Sequence, residues 1–248
     1  MELSEFFREN PKAALAFSGG VDSAYLLYAA LHFGADVRAY YVKSAFQPQF
    51  ELADARRLAE QLSAELRILK ADVLACERIA DNPSDRCYHC KKMLFEAIAQ
   101  AAAKDGYQLL LDGTNASDEE GDRPGMRALG ELQVRSPLRE CGLTKERIRS
   151  LSKEAGLFTW DKPAYACLAT RIPAGEVITE RKLMDTEAAE AYLFSLGFRN
   201  FRVRRMKDAA RLQVPASQLE KALLMRKEIL SELKKYYKAV LLDLEVRE

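Results

Sequence analysis

Three groups of residues in this sequence have the types and the spacing to do chemistry. The first is Ser18-Gly19-Gly20-Val21-Asp22-Ser23, set between the apolar run Ala13 to Phe17 and a helix-forming stretch from Ala24 to Phe33. Two glycines in a tight turn let backbone N–H groups come close to a ligand, and the helix start adds partial positive charge. A strand, a glycine turn and a helix start make a phosphate cradle. The Gly-Lys-Ser/Thr ending of a Walker A loop is missing. With Asp22 instead of a lysine, the loop suits a pyrophosphate that departs as one piece with Mg²⁺.

The second group is sulfur. Cys87-x-x-Cys90 alone reads as half a zinc site, a redox pair or part of an iron–sulfur site. A closed zinc site wants four ligands. Besides the pair there are only Cys167, His89, Cys76 and Cys141, and no second Cys-x-x-Cys. Three thiolates suit a 4Fe–4S cluster, leaving one iron open to an exogenous group such as hydrosulfide. Cys167 lies between Lys162 and Arg171. Nearby cations favour the thiolate, the form that attacks or ligates; a half-buried loop cysteine is the alternative reading. Cys76 follows a Val-Leu-Ala run and Cys141 adjoins a glycine, and both read as small buried fillers.

The third group is Arg171, Arg202 and Arg204. Arg202 and Arg204 have the same strand parity and so share one face. A forked guanidinium can bind a phosphate or carboxylate, but on the residues alone a polar exposed hairpin face is the preferred reading.

These groups need elements to position them. Strands are expected at Ala13 to Phe17, Val37 to Val42, Leu66 to Leu69 and Leu109 to Leu111, with helices at Ala24 to Phe33, Glu51 to Ser63 and Met93 to Lys104 between them. That alternation is a βαβ pattern with a mostly parallel sheet, whose ligands sit at the carboxyl ends of the strands. Ser18, Ser44 and the run Gly113-Thr114-Asn115 fall at those ends; Ser44 reads equally as a strand-end turn residue. The polar stretch Glu119 to Gly125 follows, then a short strand at Ser136-Pro137-Leu138. A helix from Lys145 to Ala155 is capped by Thr144 and stopped by Gly156. The rhythm then changes. Past the Pro163 to Val177 loop come a helix from Thr179 to Leu196, a hairpin of Phe201 to Arg205 with Ala210 to Val214, a helix near Ser217 to Tyr237 and a strand at Ala239 to Leu244. The expected organisation is an α/β domain over 1–162 and a smaller α+β domain over 163–248.

Composition narrows the function. The 248 residues carry 38 Lys plus Arg against 37 Asp plus Glu, with 48% hydrophobic residues. Such balance offers no basic footprint for nucleic acid. The acidic start lacks an apolar signal region, and no stretch is long and apolar enough to span a bilayer. A cytoplasmic compartment is expected, where five cysteines serve as ligands, nucleophiles or core rather than disulfides.

Ser18-Gly19-Gly20-Val21-Asp22-Ser23 resembles the PP-loop of the ATP pyrophosphatases, Rossmann-like proteins that cleave ATP between its α and β phosphates to make adenylates. Within that superfamily the chain resembles the LarE family. The match runs through Asp85-Arg86-Cys87-Tyr88-His89-Cys90-Lys91, Asp112-Gly113-Thr114-Asn115, Asp122-Arg123-Pro124-Gly125 and Arg135-Ser136-Pro137-Leu138. It continues in Lys162-Pro163, Cys167-Leu168-Ala169-Thr170-Arg171-Ile172-Pro173 and Phe201-Arg202-Val203-Arg204.

The resemblance implies an ATP-dependent sulfur transferase that adenylates the carboxylates of pyridinium-3,5-biscarboxylate mononucleotide. It would convert them to thiocarboxylates for the nickel-pincer cofactor of lactate racemase. By the same resemblance, Ser18, Gly19, Gly20, Asp22, Ser23, Ser44, Gly113, Thr114 and Asn115 bind ATP and pyrophosphate, with Asp22 on Mg²⁺ and Asp118 assisting. Cys167, Asp22 and Lys91 are the catalytic candidates, although Lys91 reads equally as a solvated helix-start lysine. Arg171, Arg202 and Arg204 bind the substrate. The set Cys87, Cys90 and Cys167 favours a 4Fe–4S cluster as sulfide carrier over the sacrifice of Cys167 to dehydroalanine. Gln213 departs from the family's glutamate at its place in the strand, which leaves an acidic role there in doubt. A homo-oligomer and a small-molecule nucleotide substrate are also implied, with no nucleic acid and no membrane. The competing readings are a tRNA thiolase with a three-cysteine cluster and a non-catalytic adenine-nucleotide module.

Overall fold

The computed structural model describes residues 1–118 and 124–247. Most of the Glu119 to Gly125 stretch, including Asp122 and Arg123 of the family-like motif, lies outside the described residues. The chain forms two compact units, one of residues 1–73 with 85–162 and one of residues 74–84 with 163–248. The second unit therefore draws an eleven-residue segment from the middle of the first.

The first unit is built on a sheet whose inner strands are apolar on both faces. After helix α1 (Leu3–Glu9) come β1 (Lys12–Ala16), α2 (Val21–His32), β2 (Asp36–Lys43), α3 (Gln49–Gln61) and β3 (Leu66–Lys70). Helix α4 (Arg86–Lys104), β4 (Leu110–Leu111), α5 (Pro124–Glu131) and α6 (Lys145–Glu154) complete the unit. The sheet order is β3-β2-β1-β4, and every pairing is parallel. Alternate residues sort to opposite faces, as the pleat requires. Leu15, Val37, Tyr41 and Leu111 join one core cluster with α1, α2, α3 and α6. Ala14, Tyr40, Val42 and Leu110 join another with α4. A parallel sheet covered on both faces is the α/β architecture expected from the sequence.

Three elements differ from expectation. Helix α4 starts at Arg86 rather than Met93, so Cys87 and Cys90 lie on its first turns instead of in a preceding loop. The strand expected at 136–138 is a single helical turn, Pro137–Glu140, and only Arg135 bridges to Leu111. Proline at a first helical position has its φ preset and loses no needed N–H, which favours the turn. The long helix expected near 217–237 divides at Met225 into α8 and α9, described below.

In the second unit, α7 (Glu180–Ser195) begins at Thr179, whose side chain accepts from the Lys182 N–H. Strands β5 (Arg202–Met206) and β6 (Ala209–Gln213) form the antiparallel hairpin, turning at Lys207 with φ +53°. Helices α8 (Leu219–Leu224) and α9 (Arg226–Leu233) lead to β7 (Ala239–Leu242), which pairs in parallel with β6. Leu193, Phe198, Phe201, Val203, Leu212 and Leu233 form its core. The 74–84 segment is clipped in by Asn82, whose side-chain amide donates to the carbonyls of Ile172 (3.3 Å), Pro173 (2.7 Å) and Glu176 (3.2 Å). Its own carbonyl accepts from the Gly175 N–H. No helix among the described residues is long and apolar enough to cross a membrane.

Candidate active site

The glycine turn between β1 and α2 is held open by its own side chains. Ser18 Oγ and Ser23 Oγ are 3.0 Å apart, Gly20 N–H donates to Ser18 Oγ at 3.3 Å, and Ser23 Oγ donates to the Gly20 carbonyl at 3.3 Å. Gly19 has φ +72°, and a Cβ there would lie 3.2 Å from Ala55 on α3. Only glycine satisfies both the left-handed backbone and that close approach. The loop's backbone thus sits at the start of a twelve-residue helix, where N–H groups and the helix dipole favour an anion.

The loop after β4 locks onto this turn. A Cβ on Gly113 would lie 2.9 Å from the Ser23 backbone nitrogen, so the two loops touch backbone to backbone. Buried Asp112 is the anchor: it accepts from the Thr114 N–H and hydroxyl and from Ser136 Oγ at 2.6 Å. Asp118 accepts from the Asn115 N–H at 2.9 Å. The Asn115 side-chain amide is thereby presented to Asp22, donating to Oδ1 at 3.3 Å. Gly113 and Asn115 therefore stand at the loop, whereas the Thr114 hydroxyl is spent on Asp112. Ser44, at the end of β2, also closes a turn, donating from Oγ to Gln47 Oε1 at 2.6 Å and accepting from Phe46 N–H.

Two lysines flank the loop that lacks one of its own. The Lys145 ammonium pairs with Asp22 Oδ2, and Lys145 is the first residue of α6. Lys162 donates to the Gly19 carbonyl at 3.3 Å and pairs with Asp54 of α3 at 2.7 Å. Neither interaction shows in local sequence pattern, since Lys145 lies 123 positions from Asp22 and Lys162 lies 143 from Gly19. Thr144 shows in the sequence as the cap that starts α6 at Lys145, and nothing in that local pattern aims Lys145 at the loop. The structure bears out that cap, with Thr144 Oγ1 accepting from the Arg147 N–H at 3.3 Å.

In the second unit, the three arginines have unequal surroundings. Arg171 is 1% exposed and all its nitrogens are engaged. Nε and Nη2 grip Glu190 at 2.9 and 3.0 Å, while Nη1 donates to the carbonyls of Ala166 (2.6 Å) and Cys167 (3.2 Å) and to Thr170 Oγ1 (2.9 Å). Burial opposes its charge, and the Glu190 carboxylate more than offsets this, holding the guanidinium above its ordinary range. Arg171 thus fixes the loop that carries Cys167 from behind. A ligand reaching it would have to displace Glu190.

Arg202 and Arg204 stand on one face of β5, opposite Gln213 and Arg211 of β6. Arg202 donates to the Phe201 (2.8 Å) and Ala164 (2.7 Å) carbonyls, and Arg204 donates to the Thr170 carbonyl (3.0 Å) and to Gln213 Oε1. Gln213 in turn donates to Asp243 at 2.8 Å. Neither guanidinium has a carboxylate hydrogen-bond partner among these contacts. Burial, then Arg171 and Arg247, pushes Arg202 down to about 10, and burial, then Arg171 and Arg211, lowers Arg204. Burial and repulsion among the arginines thus disfavour the charge on buried Arg202 and half-buried Arg204, and an anion placed between them would relieve both. Gln213 adds no negative charge where a glutamate would.

The cysteines fall into two environments. Cys87 is exposed and Cys90 half-buried on α4, three residues apart, so they project on neighbouring parts of one face. Cys87 Sγ accepts from Arg86 at 3.5 Å. Lys91 follows on the same helix, with its stem against Gly125 at the start of α5. In the other unit, half-buried Cys167 opens a 3₁₀ turn, Leu168–Arg171, and its carbonyl accepts from Thr170 N–H, Thr170 Oγ1 and Arg171. Cys141 packs against the first unit's core, where burial raises its thiol, as expected of a filler. None of the five forms a disulfide. Among the described residues, no three His, Cys, Asp or Glu side chains are gathered as a metal-holding group.

No family model matches the chain. It is 35% identical over 236 residues to pyridinium-3,5-bisthiocarboxylic acid mononucleotide synthase of Lactiplantibacillus plantarum, covering 94% of this chain and 86% of the relative. The chain belongs to the LarE family. It is also 38% identical over 221 residues to the uncharacterized protein slr1717 of Synechocystis, across 88% of this chain and 82% of the relative. Likeness to the tRNA-specific 2-thiouridylase MnmA 2 of Clostridium botulinum is 26% over 181 residues, covering 60% of this chain and 51% of that protein. Together these place the protein among the PP-loop enzymes of sulfur transfer, a family that uses ATP. The glycine turn of the first unit is its PP-loop.

Proposed function

We propose that this family member makes thiocarboxylates on pyridinium-3,5-biscarboxylate mononucleotide, in the cytoplasm and as a homo-oligomer. The observation that carries this reading is the relative of that name, similar across 94% of the chain, together with a PP-loop and the Arg202 and Arg204 face in the same protein. The PP-loop would hold the β and γ phosphates of ATP on the N–H groups at the start of α2. A substrate carboxylate oxygen attacks the α phosphorus, the bond to pyrophosphate breaks, and an acyl adenylate forms. Arg202 and Arg204 would hold the nucleotide's phosphate and its other carboxylate, leaving Arg171 to position the Cys167 loop.

Sulfur then displaces AMP at the acyl carbon. With Cys167 as donor, its thiolate forms a thioester. Loss of the cysteine's α proton and cleavage of its Cβ–S bond release the thiocarboxylate and leave dehydroalanine; no redox partner is needed. With Cys87, Cys90 and Cys167 as cluster ligands, a 4Fe–4S group would supply an open iron for hydrosulfide. Cysteine sulfur is the donor type such a cluster takes, and Cys87 and Cys90 lie three residues apart on one helix. Asp22 fits Mg²⁺, since its carboxylate already holds a cation, the Lys145 ammonium. Lys91 would assist at the phosphates. Protein purified without air should carry about four irons per chain, lost in Cys87→Ala, if the cluster carries the sulfide. A colourless protein that loses roughly 34 Da at Cys167 in turnover would instead establish the sacrificial route. Finding no iron and no mass loss in turnover would refute sulfur transfer.

A further inference from the structure

The PP-loop has no lysine, yet a lysine reaches it from the start of α6, and its place there is unusual. The Lys145 ammonium sits on Asp22 Oδ2, with Asn115 on Oδ1 of the same carboxylate. Lys145 and Asp22 are about one-third and one-fifth exposed, so the pair faces solvent at the mouth of the loop rather than the core. The backbone there is fixed independently: Lys145 N–H donates to Ser117 Oγ at 2.9 Å, and Ser117 N–H donates to Asn115 Oδ1 at 2.8 Å. The stem of Lys145 is therefore tethered at its root while its four-carbon arm can swing.

We propose that Lys145 and Mg²⁺ are alternative cations for Asp22. Without nucleotide, the ammonium neutralises the carboxylate. When Mg²⁺ arrives with a polyphosphate, the metal takes Asp22, and the displaced ammonium turns to the phosphates beside it. Lys145 thus supplies the phosphate-binding lysine that the loop's own sequence omits, and its ammonium compensates the charge of the pyrophosphate as that group departs. A competing ammonium weakens the empty loop for metal alone, so Mg²⁺ enters with nucleotide rather than before it. The charge balance supports the exchange: Asp22 can satisfy one added cation at a time, and an ammonium is a compact point charge that suits a phosphate oxygen.

This inference rests on ATP binding at the PP-loop, and the test separates the two. Mn²⁺ would be used as the probe, its binding to the full chain followed by electron paramagnetic resonance, with MgATP binding followed by calorimetry. Wild-type protein that fails to bind MgATP would overturn the ATP reading itself. If it binds, Lys145→Met should tighten Mn²⁺ alone by about three- to fivefold, the worth of a solvent-facing ion pair, and weaken MgATP by about tenfold. The opposite signs are the signature, because a merely structural lysine would move both the same way. Lys145→Gln, which keeps the polar stem, should do likewise, and Lys145→Arg should restore most of the MgATP affinity. Unchanged Mn²⁺ affinity in folded Lys145→Met and Lys145→Gln would overturn the exchange.

Discussion

Glu190→Ala tests how the Cys167 loop is held. The Glu190 carboxylate, 2% exposed, takes both forks of Arg171, the Val203 N–H at 2.9 Å and the Tyr165 hydroxyl. Removing it leaves a buried guanidinium uncompensated beside Arg202, whose charge is already disfavoured. Breaking one partner of a buried pair costs about 3–5 kcal/mol, against a total stability of about 5–15 kcal/mol for a typical domain. At about 1.4 kcal/mol per factor of ten, local opening should rise about a hundred- to a few thousandfold. Amide exchange followed by mass spectrometry would read this directly in peptides spanning 163–173 and 200–206. The Val203 amide should lose protection most, since Glu190 is its acceptor. Glu190→Gln keeps the shape and one acceptor and should fall between wild type and alanine. Exchange in Glu190→Ala within threefold of wild type would refute the view that this pair organises the loop.

Further outcomes follow from other contacts. Gly113→Ala would place a Cβ 2.9 Å from the Ser23 nitrogen, so the start of α2 must shift. Overpacking of this kind costs about 1–3 kcal/mol, and MgATP affinity measured by calorimetry should fall at least tenfold, whereas Gly130→Ala, which meets nothing within 4 Å, should leave it unchanged. Asp105 is held at about 2 by Arg67, then Tyr40 and Arg38. Its folded value lies below the ordinary carboxylate value of about 4, so the stability it adds is present above pH 4 and is lost as pH falls toward 2. The melting-temperature gap between wild type and Asp105→Asn should therefore be full at pH 6 and close between pH 4 and pH 2. Inorganic phosphate should raise the melting temperature by binding the Arg202 and Arg204 face, and Arg202→Met with Arg204→Met should abolish that rise.

Local pattern carried most of the fold. The inner parallel strands show as apolar runs because both faces are covered, and the Thr144 and Thr179 caps show because a cap is a short-range device. The errors came where tertiary contact overrode pattern. Arg86 to Lys92 is polar and looks like loop, yet it forms the first turns of α4, with Arg86 buried near the Phe46 ring. The Asn82 clip and the Arg171–Glu190 pair join residues about 90 and 19 apart, and nothing in local spacing announces either. For the site, the glycine turn was legible because its conformation is written in its residue types. Lys145 and Lys162 were not, since each reaches the loop through the folded sheet edge. Arg171 was legible as important but not as buried: the sequence shows a charge, whereas only the fold shows the carboxylate that claims it.

The most direct test of sulfur transfer is a single-turnover reaction of anaerobically purified protein with MgATP and pyridinium-3,5-biscarboxylate mononucleotide, followed by mass spectrometry of the small molecule. Each carboxylate converted should add about 16 Da as oxygen is replaced by sulfur, with one AMP and one pyrophosphate released per exchange. ATP cleaved to AMP and pyrophosphate with no sulfur gained, under conditions where cluster or Cys167 is intact, would contradict the account.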